Sequence, residues 1–307
     1  MNNILVTGGS GQIGSELKSL KNKNGYKFFF PNSKELDISK KKSVSNYLNK
    51  NRIDLVLNCA AYTNVDKAEK QKRLAKEVNY IGALNLSTET VKRDIGLIHF
   101  STDYVFGKNS KGINSYNNKV SPINYYGYTK ALGEGAVLDN SHLGMVVRLA
   151  SVYGIYGNNF IKTISKSLLT SNEIEVVNDQ KISLTGSYEL VLNIGYLIDL
   201  YKKKIKKQSF KPKIIHFTNK GYTNWFKVAC IIKEEIELII KERLDVNLIP
   251  IKSLDWKSLA ERPLDSRLKV LHRDLEKNKI ILPNWEISVR NFVRKIFPNT
   301  KREITND

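Results

Sequence analysis

A glycine-rich turn near the N-terminus, Gly8-x-x-Gly11-x-x-Gly14, constrains the fold of this chain more than any other feature. It follows the apolar run Asn3–Thr7, which is typical of a strand, and it opens a helix-like segment at 12–20. Gly8 allows a tight turn, Gly11 lets the backbone approach a ligand, and Gly14 permits close packing of helix on strand. Because the N–H groups at the start of such a helix face an anion, the turn predicts a dinucleotide site. The alternative is an ordinary strand–helix turn.

Short apolar runs alternate with helix-like segments along the first half of the chain. In order, these runs and segments are 3–7, 12–21, 26–30, 40–50, 54–58, 71–93, 96–101, 124–138 and 144–149. The alternation predicts an α/β fold with a Rossmann-type, doubly wound parallel sheet. Ligands of such sheets bind beyond the carboxyl ends of the strands. We therefore expect the segments 58–63, 101–103 and 149–153 to converge with the glycine turn on one crevice.

The pattern changes past the fifth predicted strand, where helix-like segments dominate. The run 214–217 is a predicted strand that could rejoin the sheet. We predict a dinucleotide-binding domain formed by residues 1–155 together with about 186–218. A smaller, intertwined substrate-binding domain is predicted to comprise about 156–185 and 219–307.

The formal net charge of +20 raises the question of nucleic-acid binding. No zinc-finger spacing, basic zipper or RNA-recognition signature accompanies this charge, so we expect no nucleic-acid partner. A positive field would instead attract a substrate that carries a diphosphate. No apolar run is long enough to span a bilayer, which predicts no membrane insertion. With Cys59 and Cys230 as the only cysteines and no signal region at the N-terminus, we expect a cytoplasmic protein without disulfides.

Tyr126 and Lys130 lie four positions apart in a helix-like segment. Residues at this spacing share a helix face, where a lysine cation would stabilise a phenolate and lower the tyrosine pKa from its ordinary value of about 10. A tyrosine shifted in this way transfers protons near neutral pH, which suits carbonyl–alcohol redox chemistry beside a nicotinamide. Tyr-x-x-x-Lys pairs also arise by chance. This pair indicates a redox site only because the same chain carries the glycine turn.

Several further blocks follow one another in a fixed order. They are the glycine turn with Gln12, Leu36-Asp37-Ile38, the block 58–69, Ser101-Thr-Asp-Tyr-Val-Phe106, the block 126–134, Val152-Tyr-Gly with Asn159-Phe160, and Arg262-Pro263 with Ser266. Together they resemble the extended short-chain dehydrogenase/reductase family, most of all its dTDP-4-dehydrorhamnose reductases, over nearly the full length. The resemblance implies a reductase that uses NAD(P)H to reduce a nucleotide-activated 4-keto-6-deoxy sugar.

The resemblance assigns the chemistry to three side chains. Thr102 would hydrogen-bond the substrate carbonyl oxygen, Tyr126 would donate a proton to that oxygen, and Lys130 would lower the tyrosine pKa and bind the nicotinamide ribose. The implied cofactor contacts are Gly8, Ser10, Gly11, Gln12, Ile13, Gly14, Ser33, Asp37, Ile38, Ala60, Ala61 and Tyr62, besides Tyr126 and Lys130. The implied substrate contacts are Asp103, Tyr104, Ser151, Asn159 and Arg262. The alternatives are a turn-forming carboxylate for Asp103 and a surface guanidinium beside a proline for Arg262.

The end of the second predicted strand bears on the choice of cofactor. NAD specificity usually needs an acidic residue there to hold the ribose 2′-hydroxyl. The strand ends in Phe30-Pro-Asn-Ser-Lys34, with no acid before Glu35, and Ser33 and Lys34 could instead meet a 2′-phosphate. This favours NADPH, with NADH as the alternative.

The chain departs from the family's pattern on the substrate side. The family usually has Arg-Thr-Ser-Trp-Val-Tyr after the fifth strand, with the tryptophan against the sugar, whereas this chain has Arg148-Leu-Ala-Ser151-Val-Tyr153. A large stacking surface is therefore missing at Ser151. The family's Asp-Gln-x-Gly-x-Pro-Thr likewise becomes Asp179-Gln-Lys-Ile-Ser-Leu-Thr185. Reductase chemistry is thus better supported than the identity of the sugar.

Three further questions stay open at the level of sequence. Some family members use a metal at a dimer contact near the position of Glu16; its other ligands find no match here, so we expect no metal, and a homodimer remains an option. One alternative function is an epimerase or dehydratase with tightly bound NAD, although dehydration asks for Asp-Glu where Asp103-Tyr104 follows Thr102. Another is a non-enzymatic, dinucleotide-binding regulatory subunit.

Overall fold

A computed structural model describes residues 2–20, 25–108, 110, 112–206 and 214–305. The strands are β1 (Asn3–Thr7), β2 (Lys27–Phe29), β3 (Leu55–Asn58), β4 (Gly96–Thr102), β5 (Gly144–Leu149), β6 (Val152–Tyr153), β7 (Glu173–Val177), β8 (Thr185–Gly186), β9 (Ile214–His216) and β10 (Asn247–Ile251). The helices are α1 (Gln12–Ser19), α2 (Lys41–Lys50), α3 (Val65–Lys70), α4 (Lys72–Lys76), α5 (Gly82–Val91), α6 (Tyr125–Asn140), α7 (Phe160–Ser167), α8 (Ser187–Leu192), α9 (Ile194–Lys206), α10 (Trp225–Ile240), α11 (His272–Lys277) and α12 (Trp285–Thr305). A π-helical turn (Glu77–Ile81) joins α4 to α5, and a 3₁₀ turn (Asp103–Val105) follows β4.

Six parallel strands form the central sheet in the order β2-β1-β3-β4-β5-β9. The register pairs Val6 with Leu57, and Leu57 with Ile98, so the carboxyl ends of β1, β3 and β4 lie at one edge of the sheet. This arrangement confirms the predicted Rossmann-type fold. The chain order reverses between β1 and β3, and in open sheets such a reversal opens a ligand crevice beyond the strand ends.

The strands are apolar on both faces because helices cover both sides of the sheet. Ile4 and Leu57 belong to a core that includes Ile198 of α9, while Leu5 belongs to a core that includes Leu86 of α5. Alternate side chains of one strand point to opposite faces, so a continuous apolar run can serve both cores. This is why the pattern predicted a sheet buried on two sides.

A second apolar core lies among elements from the later part of the chain. It includes Ile164 of α7, Ile232 of α10 and Val293 of α12, all buried. Parallel pairing of β7 with β10 completes this unit, while β9 returns to the main sheet beside β5. This core is distinct from the two that cover the faces of the sheet, and the division into two intertwined domains, with its bounds, stays a prediction. The segment 207–213, which the predicted first domain includes, lies outside the described residues.

A buried ion pair fixes α6 to the sheet. The Arg148 guanidinium on β5 donates to both carboxylate oxygens of Glu134, from Nε at 2.8 Å and from Nη2 at 2.7 Å. Both side chains are almost fully buried, where a bidentate pair gives strong geometric specificity. The pair therefore holds α6, which carries Tyr126 and Lys130, at a defined position on β5.

Within the described part of the chain, every helix is too short or too polar to cross a membrane.

Candidate active site

A cavity of about 430 Å³ lies at the carboxyl ends of β1, β3, β4 and β5. It is lined by Gly11, Gln12, Ile13, Cys59, Ala61, Thr63, Val65, Phe100, Ser101, Thr102, Asp103, Tyr104, Tyr126, Lys130, Leu149, Ser151, Val152, Asn158 and Trp225. The cavity lies where the switch in strand order opens the sheet. The sequence-based expectation that the strand ends converge on one crevice agrees with this arrangement.

The glycine turn has the backbone geometry that its sequence predicts. Gly8 has φ +67°, and a Cβ at this position would lie 2.6 Å from Ala60 Cα. A Cβ at Gly14 would lie 2.4 Å from the Gly8 carbonyl oxygen. Gly11 N donates to that same oxygen at 2.9 Å, which closes the turn. Side chains at Gly8 or Gly14 would therefore collide with rigid backbone.

The polar groups of this turn fit a dinucleotide. The N-cap residue of α1, Gly11, makes no side-chain capping bond, so the helix start presents free backbone donors to the cavity. The Gln12 amide nitrogen is buried and has no hydrogen-bond partner among the described residues. A buried donor without a partner destabilises the folded protein. An anionic group would accept hydrogen bonds both from the N–H groups at the start of α1 and from the Gln12 amide nitrogen. The residues present therefore fit the pyrophosphate of a dinucleotide cofactor.

The first turn of α6 carries the candidate proton donor. Asn124 caps the helix, its Oδ1 accepting from Gly127 N at 2.8 Å, and Tyr126 follows within the same turn. A Cβ at Gly127 would lie 2.1 Å from the Tyr104 carbonyl oxygen, so only glycine lets α6 approach the turn after β4 this closely. Tyr126 and Tyr104 lie edge to face, with ring centroids 6.0 Å apart. The helix start is thus packed directly against the end of β4.

Burial sets the protonation of Tyr126. It raises the pKa of the phenol to about 12; the Thr102 hydroxyl partly opposes this rise and the Asp103 carboxylate adds to it. The net pKa is therefore raised, because desolvation of the phenolate outweighs the charges around it. The lowering contribution that we expect from Lys130 stays a prediction. Tyr126 is a neutral phenol over the physiological pH range and can act as a proton donor.

The ammonium group of Lys130 is held in place by residues of β4. Its Nζ donates to the Phe100 carbonyl oxygen at 2.7 Å and lies 3.4 Å from His99 Nε2. Burial lowers the pKa of this lysine to about 8, while Glu134 and Cys59 act in the opposite direction. Lys130 is therefore a cation at neutral pH that sits close to its titration point.

Three of the predicted substrate contacts lie together in the cavity: Asp103, Tyr104 and Ser151. Burial raises the pKa of the Asp103 carboxyl to about 6, against the hydrogen bonds that it accepts. Its Oδ1 accepts from the Thr102 hydroxyl at 3.1 Å. Ser151 has φ +42°, a conformation that is strained for a residue other than glycine. Strained backbone of this kind is enriched at functional sites.

Two predicted substrate contacts have partners elsewhere and do not line the cavity. Arg262 forms a bidentate pair with Asp66, Nη1 to Oδ1 at 2.8 Å and Nη2 to Oδ2 at 2.6 Å. Asn159 caps α7, its Oδ1 accepting from Lys162 N, and its amide nitrogen donates to the Gly154 carbonyl oxygen at 2.8 Å. Both side chains satisfy groups of the protein, and Arg262 also interacts with Tyr104 of the cavity, so their contacts with a substrate stay a prediction.

Several predicted cofactor contacts lie outside the cavity lining: Gly8, Ser10, Gly14, Ser33, Asp37, Ile38, Ala60 and Tyr62. Ser33 is exposed. The Asp37 carboxylate accepts from the Ser39 backbone and hydroxyl, while Ile38 is buried against Gly82. The two glycines act through the shape of the turn. Contacts of the remaining residues with a cofactor stay a prediction.

Some cavity residues were missed by the motif reasoning. Ser101 and Phe100 carried a signal, since they end β4 at the predicted crevice. Trp225 carried none, because it begins α10 in the later unit and reaches the cavity only through the tertiary fold. No cluster of three or more metal-ligating side chains occurs in the described ranges, and the expected absence of a metal stays a prediction.

The chain is similar to known proteins over almost its whole length. The profile of the RmlD substrate binding domain matches residues 1–297. The chain is 32% identical over 297 residues to the spore coat polysaccharide biosynthesis protein SpsK of Bacillus subtilis, covering 96% of this chain and 98% of that protein. It is also 32% identical over 307 residues to the dTDP-4-dehydrorhamnose reductase of Salmonella typhimurium, covering 97% and 99%.

A solved structure extends the likeness to the fold. The dTDP-4-dehydrorhamnose reductase of Bacillus anthracis, in complex with NADP, superposes with a TM-score of 0.83 and 31% sequence identity. The superposition covers 96% of this chain and 100% of that one. Because the match extends over residues 1–297, the chain belongs to the RmlD substrate binding domain family.

Proposed function

We propose that this protein is an NADPH-dependent reductase of a nucleotide-activated 4-keto-6-deoxy sugar, with dTDP-4-dehydrorhamnose as the candidate substrate. The observation that carries the proposal is the gathering of Thr102, Tyr126 and Lys130 beside the glycine turn in one cavity. Relatives named dTDP-4-dehydrorhamnose reductase, one of them solved with NADP, support both the substrate class and the cofactor.

Each side chain has its own role in the reduction of a carbonyl group. The cofactor supplies a hydride when bound. Tyr126, protonated because of its burial, donates its proton to the substrate carbonyl oxygen. Thr102 hydrogen-bonds the same oxygen, and the positive charge of Lys130 offsets the negative charge that forms on the phenolate. Asp103 and Ser151 contact the sugar.

The loop after β2 supports NADPH over NADH. Ser33 and Lys34 follow β2 and are exposed, and we infer that they bind the 2′-phosphate. Asp37 is engaged by Ser39 and pairs with Lys40 at 3.2 Å, so its carboxylate is not free to hold a ribose 2′-hydroxyl. We therefore expect a lower KM for NADPH than for NADH.

The test is oxidation of NADPH in the presence of several 4-keto nucleotide sugars. Tyr126→Phe should lower kcat by about a hundred- to ten-thousand-fold, the effect of removing a general acid. Tyr128→Phe is the matched control, since Tyr128 lies on the same helix and is 46% exposed. The proposal fails if wild-type protein never oxidises NADPH with any of these sugars. NAD that stays bound and is never consumed would indicate an epimerase or dehydratase, and dinucleotide binding without turnover a regulatory subunit.

We further propose a cytoplasmic location, which the free thiols of Cys59 and Cys230 support. A homodimer stays open, and sedimentation of the purified protein would decide it.

A further inference from the structure

Trp225 brings a large aromatic ring to the cavity from outside the nucleotide-binding sheet. It is the first residue of α10, whose N-cap Asn224 accepts from Lys227 N at 2.8 Å. α10 packs into the second apolar core, together with α7 and α12. The ring therefore reaches the cavity from the later unit of the chain, whereas the glycine turn belongs to the nucleotide-binding sheet.

The protein fixes the orientation of this indole. Its Nε1 donates to Gln180 Oε1 at 3.0 Å, and its ring lies against Phe160 with centroids 4.5 Å apart. Gln180 is in turn held by the Ser253 hydroxyl at 3.1 Å. A side chain fixed by packing and by hydrogen bonds has lost its rotamer freedom before any ligand arrives, which favours binding.

The surroundings define what the ring could bind. Because its only polar atom is already bonded to Gln180, the indole offers the cavity an apolar face and no donor. Among the other residues that line the cavity, Thr63, Val65 and Ser151 have small side chains. A flat apolar surface among polar groups suits the C–H face of a sugar ring whose hydroxyls point to those polar groups.

We propose that the sugar ring of the nucleotide-sugar substrate packs against the indole of Trp225. This inference rests on the proposed function for its substrate class. It assigns one substrate contact to α10, so the later unit contributes directly to sugar recognition.

The experiment measures steady-state kinetics of Trp225→Ala and Trp225→Phe with a 4-keto nucleotide sugar. Trp225→Ala should raise KM for the nucleotide sugar about tenfold or more, while KM for NADPH changes by less than about twofold. Trp225→Phe should recover most of the loss, because it restores an aromatic face. Trp256→Ala is the control, since Trp256 is 53% exposed and lies outside the cavity lining.

A binding measurement covers the case in which Trp225→Ala does not fold. Nucleotide sugar should change the intrinsic fluorescence of wild-type protein and of Trp256→Phe, but not that of Trp225→Phe. The nucleoside diphosphate alone should bind wild type and Trp225→Phe equally.

Three outcomes are informative. An unchanged KM in folded Trp225→Ala, or an equal loss of affinity for the nucleoside diphosphate, overturns the inference. A wild-type enzyme that reduces no nucleotide sugar overturns the proposed function instead. Selective loss of sugar affinity supports both.

Discussion

Burial shifts the two central titrating side chains in opposite directions. It raises the pKa of Tyr126 to about 12 and lowers the pKa of Lys130 to about 8. In both cases the neutral form is favoured, because a desolvated charge is costly. The phenol therefore keeps its proton at neutral pH, and of these two side chains only the lysine titrates near neutrality.

The reductase activity should fall as pH rises above about 8. Lys130 is cationic below its pKa of about 8 and loses its charge above it, whereas Tyr126 stays protonated until a much higher pH. The measurement is kcat/KM for NADPH oxidation against pH, which reports the pKa values of the free enzyme. Circular dichroism at each pH controls for unfolding. A profile that stays flat to about pH 10 would contradict the role of the Lys130 charge.

Gly14→Ala should weaken NADPH binding by more than about tenfold and destabilise the protein by about 1–3 kcal/mol. The added Cβ would lie 2.4 Å from Gly8 O and 2.7 Å from Gly9 Cα, and both atoms belong to backbone that cannot move aside without opening the turn. Isothermal titration calorimetry with NADPH and urea unfolding measure the two effects. Gly135→Ala provides a control for binding, because this glycine lies within α6 and its added Cβ would meet only Asp139 Oδ2, at 3.9 Å. Unchanged NADPH affinity in Gly14→Ala would rule out close packing at this turn.

At the level of elements, α6 is the helix that positions Tyr126 and Lys130. Its cap Asn124 serves twice: Oδ1 accepts from Gly127 N, and Nδ2 donates to the Glu261 carbonyl oxygen at 2.8 Å. One side chain thus orders the helix start that carries Tyr126 and ties it to a loop of the later unit. Further along, the Glu134–Arg148 pair fixes the same helix to β5.

Asn124→Ala should lower the free energy of unfolding by about 1–2 kcal/mol, since it removes a helix cap. It should also lower kcat, because the first turn of α6 loses the bonds that orient Tyr126. Gly135→Ala is the contrasting variant on the same helix. Its Cβ would meet only Asp139 Oδ2, at 3.9 Å, so it should stabilise the protein by about 0.5–1 kcal/mol. Urea unfolding and kcat measure both variants, and equal stability of Asn124→Ala and wild type would count against the cap.

For the whole molecule, Asp66 joins α3 to the loop of the later unit. Its carboxylate pairs with Arg262, and its Oδ1 also accepts from the backbone of Leu259 and Ala260, both at 3.0 Å. The hydrogen bond from Arg262 is the largest cause that lowers the pKa of Asp66 to about 2. Arg262 therefore helps to join α3 to this loop, and its predicted contact with a substrate stays a prediction.

The stabilisation from Asp66 should be present at neutral pH and lost in acid. Because the pKa of Asp66 in the folded protein lies below its ordinary value of 3.8, the contribution is complete above that value and disappears as pH falls towards about 2. Asp66→Asn should lower the unfolding free energy at neutral pH by about 1 kcal/mol or less, since the side chain is 39% exposed and solvent screens the pair. Urea unfolding at about pH 6 and about pH 3 should show the difference shrinking. Asp139→Asn, at an exposed site, is the control, and a difference that grows in acid would contradict the linkage.

Local patterns of the sequence determined the sheet, the glycine turn and the start of α6. Apolar runs and turn glycines act through neighbouring atoms, so Gly8 and Gly14 could be interpreted without knowing the fold. The convergence of 58–63 and 101–103 on a crevice also followed, because parallel strands end at a common edge.

Only the tertiary structure decided the surroundings of the individual side chains. The pKa of Tyr126 depends on how deeply the phenol is buried, and spacing from Lys130 does not reveal burial. The pairing of Arg262 with Asp66, and the arrival of Trp225 in the cavity, join segments far apart in the chain. Such contacts arise from the packing of two units against each other, and no periodicity within either segment encodes them.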